Sequence, residues 1–259
     1  MGILNVTPDS FSDGGQFDTR DTAIAQAERM LSEGAAILDI GGESTRPGAA
    51  EVSTEEEIHR VVPVISEILQ RHPVSIVSID TSKAQVAEKA LEAGARIVND
   101  VTGFRDPAMI EVAAESQAGC VVMHMQGTPR TMQQSPRYED VVGEIAAFFQ
   151  ERFHTLRAGG IDAEAIVFDP GIGFGKSLEH NLALLHHLED LVIEDRPLLL
   201  GVSRKSFLGK LIGSDAPGQR DWSTVAVTSF ATEKGVPLHR VHAVAPNREA
   251  MRMTEAMRK

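Results

Sequence analysis

The chain of 259 residues has one cysteine, one tryptophan and one tyrosine. A single thiol rules out an intrachain disulfide and any zinc site built on several cysteines. Cys120 sits in the apolar run 119–123 and reads as core filling rather than as a nucleophile. There is no Gly-x-Ser-x-Gly elbow, and the nine histidines form no His-Glu-x-x-His pair. Basic residues are scarce beside acidic ones, 25 Lys and Arg against 37 Asp and Glu, and the net charge of −12 argues against duplex nucleic acid or an anionic membrane as the main partner. No apolar stretch approaches the roughly 20 residues needed to cross a bilayer. Met1 leads straight into Gly2-Ile3-Leu4-Asn5-Val6, with no basic segment followed by a long apolar one. A cytoplasmic protein is expected.

The chain does contain short runs rich in Val, Ile and Leu at 3–6, 36–40, 74–79, 96–98, 120–125, 165–168, 198–202 and 240–244. Helix-period segments alternate with them at 19–33, 54–70, 82–93, 107–116, 138–158, 179–188, 221–234 and 247–259. Ser53 or Thr54 ahead of Glu55-Glu56-Glu57, and Asp106 ahead of Pro107, are helix starts. Gly34, Gly94 and Gly159-Gly160 mark helix ends. Apolar strands alternating with helices predict a parallel sheet. Eight units of about 32 residues, in a total close to the typical figure of about 250, predict an α/β protein folded as a single (β/α)8 TIM barrel over residues 1–259. An open doubly wound sheet is the structural alternative.

In such a barrel the loops after the strands converge on one face, where the active site forms. The residues at or just after the runs are Asn5, Asp39 with Glu43-Ser44-Thr45-Arg46, Asp80, Asn99-Asp100, His124, Asp169, Ser203-Arg204-Lys205, and Arg240 with His242. One Asp alone would be an ordinary helix cap. A complete ring that includes Lys and Arg is a pocket built to hold something, because buried polar groups are costly unless paired. Asp80, Asn99, Asp169 and Lys205 suit a planar heterocycle bearing N–H and C=O groups. Arg240 and His242, two apart on one predicted strand, face the same way and suit an anion. Arg46 adds a cation. The substrate expected from this set is flat, nitrogen-rich and phosphorylated.

Loops 5–15 and 41–48 are glycine-punctuated and polar, as lids or sites of close ligand approach would be. The run Asp169-Pro170-Gly171-Ile172-Gly173-Phe174-Gly175-Lys176-Ser177 is not a P-loop, since Pro170 stands where the first glycine belongs. A tight strand-to-helix connection is expected there. A Mg2+ held by one oxygen ligand such as Asn5, together with substrate phosphates and water, suits the composition better than zinc.

The opening Gly2-Ile3-Leu4-Asn5-Val6-Thr7-Pro8-Asp9-Ser10-Phe11-Ser12-Asp13-Gly14-Gly15 resembles the first loop of the dihydropteroate synthase family, and Gly41-Gly42-Glu43-Ser44-Thr45-Arg46-Pro47-Gly48 resembles its second. Further matches are Ile79-Asp80-Thr81, Asn99-Asp100, Met123-His124-Met125, Asp169-Pro170-Gly171, Gly173-Phe174-Gly175-Lys176, Ser203-Arg204-Lys205-Ser206 and Arg240-Val241-His242. The resemblance implies a pterin-binding barrel that joins 6-hydroxymethyl-7,8-dihydropterin diphosphate to 4-aminobenzoate in folate biosynthesis, with Mg2+ as cofactor and a homodimeric assembly. It implies that Asp80, Asn99, Asp169 and Lys205 hold the pterin ring. Asn5, Thr45, Arg240 and His242 handle the diphosphate, Asn5 through Mg2+. Phe11, Thr45, Arg46, Pro47, Lys205 and Ser206 form the aminobenzoate side. Phe174 belongs to the substrate-binding set, and Asp13 and Arg46 join Asp80, Lys205, Arg240 and His242 as catalytic residues.

One position departs from the family pattern. The family usually follows Arg-Val-His with Asp, whereas here Ala243 follows His242. That change motivates an alternative reading, a pterin-binding paralogue with impaired catalysis. A pterin-dependent methyltransferase shares the barrel but has no evident need for the Arg240 and His242 pair or for loop 44–47.

Overall fold

The computed structural model describes residues 1–7, 16–44, 51–128, 131–214 and 216–258. Eight strands alternate with helices along the chain: β1 (Gly2–Asn5), α1 (Gln16–Ser32), β2 (Ile37–Gly41), α2 (Thr54–Arg71), β3 (Ile76–Asp80), α3 (Ala84–Glu92), β4 (Ile97–Asp100) and α4 (Pro107–Glu115). They are followed by β5 (Gly119–Met123), α5 (Val141–Ala158), β6 (Ile166–Asp169), α6 (Leu178–His186), β7 (Leu199–Leu200), α7 (Ser206–Ile212), α8 (Asp221–Glu233), β8 (Leu238–His239) and α9 (Val244–Met257).

Strands β1 to β6 pair in sequence order, all parallel, and β7 pairs with β8. Two parallel bridges close the remaining gaps, Phe168 to Leu198 and Gly2 to Val241. At the first, the Phe168 N–H donates to the Pro197 carbonyl at 3.1 Å; at the second, the Ile3 N–H donates to the Val241 carbonyl at 3.0 Å. The sheet is therefore a closed eight-stranded cylinder, a TIM barrel, and the open doubly wound alternative is excluded.

Side chains alternate between the two faces of each strand. Leu4, Leu38, Ile40, Val77, Ile79, Val98, Cys120, Val122, Ile166 and Phe168 all belong to one buried apolar cluster with the helices. Phe149 of α5, for instance, stacks on Phe168 with ring centroids 4.4 Å apart. The alternate positions, Asp39, Ser78, Asp80, Asn99 and Asp169 among them, face the barrel interior. Apolar burial outside thus orients a polar face inside. The runs read as continuous apolar strands carry polar residues at some inward positions, such as Asp39, Ser78, Asp80, Asn99 and Asp169, while others such as Val121 and Met123 stay apolar.

The expected caps form. The Ser53 hydroxyl accepts the Glu56 N–H at 3.2 Å, and Asp106 accepts the Ala108 N–H at 3.0 Å. Gly34, Gly94 and Gly160 have φ of 91°, 107° and 91°. Several boundaries differ from expectation. Val74 is 94% exposed and β3 starts only at Ile76. The seven-residue helix α7 is too short to give a periodic pattern and was not foreseen. The last strand is Leu238–His239 rather than 240–244, and Val244 is the first residue of α9. Val244 is buried in the core all the same. Hydrophobicity alone cannot divide an apolar run that crosses from strand to helix.

Behind β8, His239 is buried with Nε2 3.1 Å from the Thr232 hydroxyl, which donates to the Thr228 carbonyl and so accepts from the ring. Burial lowers the His239 pKa to about 4. The unfolded chain takes up this proton near pH 6.5 and the folded one only below about 4, so this residue makes stability rise with pH across that window. Urea unfolding at pH 7 and pH 4.5 should show wild type losing about 2 kcal/mol more than His239→Gln on acidification. Equal losses would remove His239 from the acid response.

Candidate active site

Asp39, at the middle of β2, is fully buried. Its Oδ2 accepts from Nε of Arg240 at 2.5 Å and from the Asn99 amide at 3.1 Å. A terminal nitrogen of Arg240 donates to Oδ2 of Asp80, also at 2.5 Å. One guanidinium therefore links β2 and β3 to the chain leaving β8, and Asn99 brings in β4. Burial disfavours the Arg240 charge, but Asp39 and Asp80 outweigh it and raise its pKa further. Burial pushes the Asp80 carboxyl up, against the pull of Arg240.

Across the mouth, Asp169 ends β6 and is 3% exposed. Its Oδ1 accepts the Gly171 N–H at 2.8 Å. Burial raises its pKa, with Lys205 the main opposing charge. Lys205 precedes α7; its ammonium donates to the Ile172 carbonyl and lies 4.6 Å from the centroid of the Phe174 ring. Burial lowers its pKa to about 8, although Asp169 draws it upward.

Asp80, Asn99, Asp169, Phe174, Lys205 and Arg240 line one recess, with Val101 and Met123 as apolar walls and Gly201 between the charged groups. The set offers two carboxylates, an amide, an ammonium and a guanidinium at the edges of a slot walled by apolar side chains. That arrangement suits a flat ring with donors and acceptors on its rim.

Other predicted residues fall elsewhere. Asn5 closes β1 in register with Gly41 and, through it, with Asp80, so it faces the same interior at the same level. His242 does not share a strand with Arg240, because β8 ends at His239. Its N–H donates to the Ser203 hydroxyl at 3.1 Å, and that hydroxyl lies 2.9 Å from Nδ1. Arg240 and His242 therefore engage different partners. Ser206 is exposed at the start of α7 and does not line the recess. Phe11, Asp13, Thr45, Arg46 and Pro47 lie outside the described residues.

The sequence placed Asp39 in the ring without giving it a role, yet it is the hub of the charge network. A charged residue inside an apolar strand, in phase with Gly41, is the signal that marks it. Lys176 was read only as part of a glycine run. It is 3% exposed and contacts His124 Nδ1 at 3.1 Å. His124, read as a strand-end pocket group, is buried and lies outside the recess lining. Burial and the nearby Lys176 charge lower its pKa to about 3.

This closed cylinder, with its polar groups gathered at the carboxyl ends of the strands, is a ligand-binding (β/α)8 barrel of the enzyme type. The family model for pterin binding enzymes matches residues 1–242. Dihydropteroate synthase of Escherichia coli strain K12 is 47% identical over 256 residues, spanning 99% of this chain and 90% of that protein. Among solved structures, the Yersinia pestis dihydropteroate synthase with a sulfonamide drug has a TM-score of 0.94 at 48% identity, covering 100% of this chain and 93% of the other. The Xanthomonas albilineans dihydropteroate synthase with 4-aminobenzoic acid also reaches a TM-score of 0.94, at 43% identity, covering 100% and 92%. The chain belongs to the dihydropteroate synthase family of pterin-binding enzymes.

Ala243, the departure from the family pattern, is the residue before α9 and supplies no side-chain cap. The Ala245 N–H in the first turn instead reaches Glu33, the residue after α1, at 3.4 Å. Ala243 is absent from the recess lining. An Asp at this position would supply the cap that Ala243 lacks. Ala243→Asp should therefore raise unfolding stability by about 1 kcal/mol with little change in turnover. A change in turnover without a change in stability would place this residue in the catalytic machinery.

Proposed function

We propose that this chain is a dihydropteroate synthase, joining 6-hydroxymethyl-7,8-dihydropterin diphosphate to 4-aminobenzoate and releasing pyrophosphate and 7,8-dihydropteroate for folate biosynthesis. The observation that carries this reading is the convergence of Asp80, Asn99, Asp169, Lys205 and Arg240 on one recess. Asp80, Asn99, Asp169 and Lys205 hold the pterin ring, with Phe174 against its face. Arg240 and His242 attend the diphosphate. By sequence likeness Phe11, Thr45, Arg46, Pro47 and Ser206 serve the aminobenzoate side, and Asp13 joins the catalytic set.

In the reaction the bond from the pterin methylene to the diphosphate oxygen breaks, and its electron pair leaves with the diphosphate. The lone pair of the aryl amine then forms the new carbon–nitrogen bond, and that nitrogen loses a proton. Arg240 stabilises the negative charge that leaves, and Asp80 the positive charge left on the methylene, in a site where low polarizability strengthens both interactions. With opposite charges stabilised on the two fragments, bond breaking precedes attack.

Among the described residues no group of three or more His, Cys, Asp or Glu could hold a metal. A lone interior amide oxygen from Asn5 fits Mg2+, which keeps most of its shell from water and phosphate. When bound, the ion would supply charge neutralisation for the diphosphate. The exposed Trp222 and Phe230 on α8 and Met253 and Met257 on α9 support a homodimer. The protein works as one barrel domain over residues 1–259, in the cytoplasm and without nucleic-acid or membrane partners. The single cysteine suits a reducing compartment, and the net charge of −12 argues against nucleic-acid and anionic-membrane partners. No helix among the described residues is long and apolar enough to cross a membrane.

Incubating the protein with both substrates and Mg2+ should release pyrophosphate. Lys205→Ala should weaken pterin diphosphate binding by about tenfold or more. Arg46→Ala should lower turnover while leaving pterin binding largely intact. Normal kinetics in both variants would overturn the site assignment. A secondary deuterium isotope effect at the methylene should be clearly above unity, and a value near unity would mean that attack accompanies bond breaking.

A further inference from the structure

Lys176 belongs to the loop that joins β6 to α6, and its side chain is buried. Its ammonium contacts Nδ1 of His124 at 3.1 Å, the Phe174 carbonyl at 2.9 Å and the His124 carbonyl at 3.4 Å. These acceptors are neutral. Burying an ammonium without a directly bonded carboxylate is expensive, and a Met or Leu would fill the same space without that cost. The charge must therefore do something that packing does not.

The contacts suggest what it does. The loop is pressed hard against the chain leaving β5. A Cβ on Gly171 would come 1.9 Å from the His124 carbonyl oxygen, and one on Gly175 would come 2.7 Å from that of Gln126. Both glycines, and Gly173 between them, have positive φ. This close approach brings carbonyl dipoles of the two segments together, and the Lys176 ammonium bonds to both. The other side of the same loop cradles Lys205: the Ile172 carbonyl accepts from its ammonium, its stem passes over Gly173, and the Phe174 ring lies 4.6 Å from its charge.

We infer that Lys176 is a positioning residue for pterin binding: it fastens the β6–α6 loop to the end of β5 and so fixes the Ile172 carbonyl and the Phe174 ring that hold Lys205. The inference rests on the proposed role of Lys205 in the pterin site. The charged and titratable neighbours agree with the geometry. Asp169 attracts both ammonium groups, Lys205 lowers the pKa of Lys176, and Lys176 lowers that of His124. Burial takes Lys176 to about 7, with Asp169 raising and Lys205 lowering it, while His124 stays neutral at about 3. Lys205 stands at about 8.

The test uses the full chain as Lys176→Met, with 6-hydroxymethyl-7,8-dihydropterin diphosphate, 4-aminobenzoate and Mg2+. The KM for the pterin diphosphate should rise about tenfold, with KM for 4-aminobenzoate and kcat changing far less. A merely structural defect would impair kcat and both KM values together. His124→Phe removes the ring-nitrogen acceptor of the ammonium and should give the same pattern in smaller measure, about threefold in pterin KM; it serves if the Met variant unfolds. An unchanged pterin KM in the folded variants overturns the inference. A wild-type chain that turns over neither substrate overturns the proposed function instead.

Discussion

The site depends on a single guanidinium held between two carboxylates inside a closed cylinder. Asp39 and Asp80 sit on adjacent strands, and like charges at that separation in a poorly polarizable interior repel strongly. Arg240 lies against both at 2.5 Å. Without it, a buried carboxylate would lack its counterion, a loss on the order of 3–5 kcal/mol. The same contact fixes the first half of the barrel against its last strand, where the ladder is otherwise reduced to two paired residues and a bridge. Stability and function thus meet in one side chain: the group that neutralises the interior also faces the recess where an anion would leave.

This arrangement is possible because the two faces of each strand do different work. Outward residues bury apolar area against the helices and hold the cylinder together. That frees the inward positions near the mouth to be polar. Lys205, Asp169 and Asp80 all sit in surroundings that disfavour their charged forms, and all have opposite charges nearby. Such groups are ready for a polar ligand that completes their hydrogen bonding, which is why perturbed ionisation and ligand recognition coincide here. The glycines of the β6–α6 loop add a second condition, since only a backbone without Cβ can lie this close to the β5 segment.

Much of this was legible from the chain alone. The alternation of apolar runs and helices gave the eight units, the Ser53 and Asp106 caps are where their residue types predict, and Gly34, Gly94 and Gly160 end helices. Asp80, Asn99, Asp169, Lys205 and Arg240 were all expected at one mouth, because strand ends in a parallel barrel share a face. The errors share a cause as well. Leu238–His239 was missed as a strand and Val244 was taken into it because burial makes Val and Leu alike whether they sit in a strand or in the first turn of a helix. Arg240 and His242 were paired by strand periodicity, which does not hold beyond the end of β8.

Sequence by itself determined the family, the unit count and the residues able to recognise a flat, charged ligand, since these follow from local pattern and side-chain chemistry. Tertiary structure alone decided that Asp39 is the hub of the charge network, that His242 answers to Ser203, and that Lys176 clasps the loop beneath Lys205. These are contacts between residues 39 to 201 positions apart. They exist only because closing the barrel brings distant strand ends within hydrogen-bond reach, and no local periodicity encodes which of them will meet.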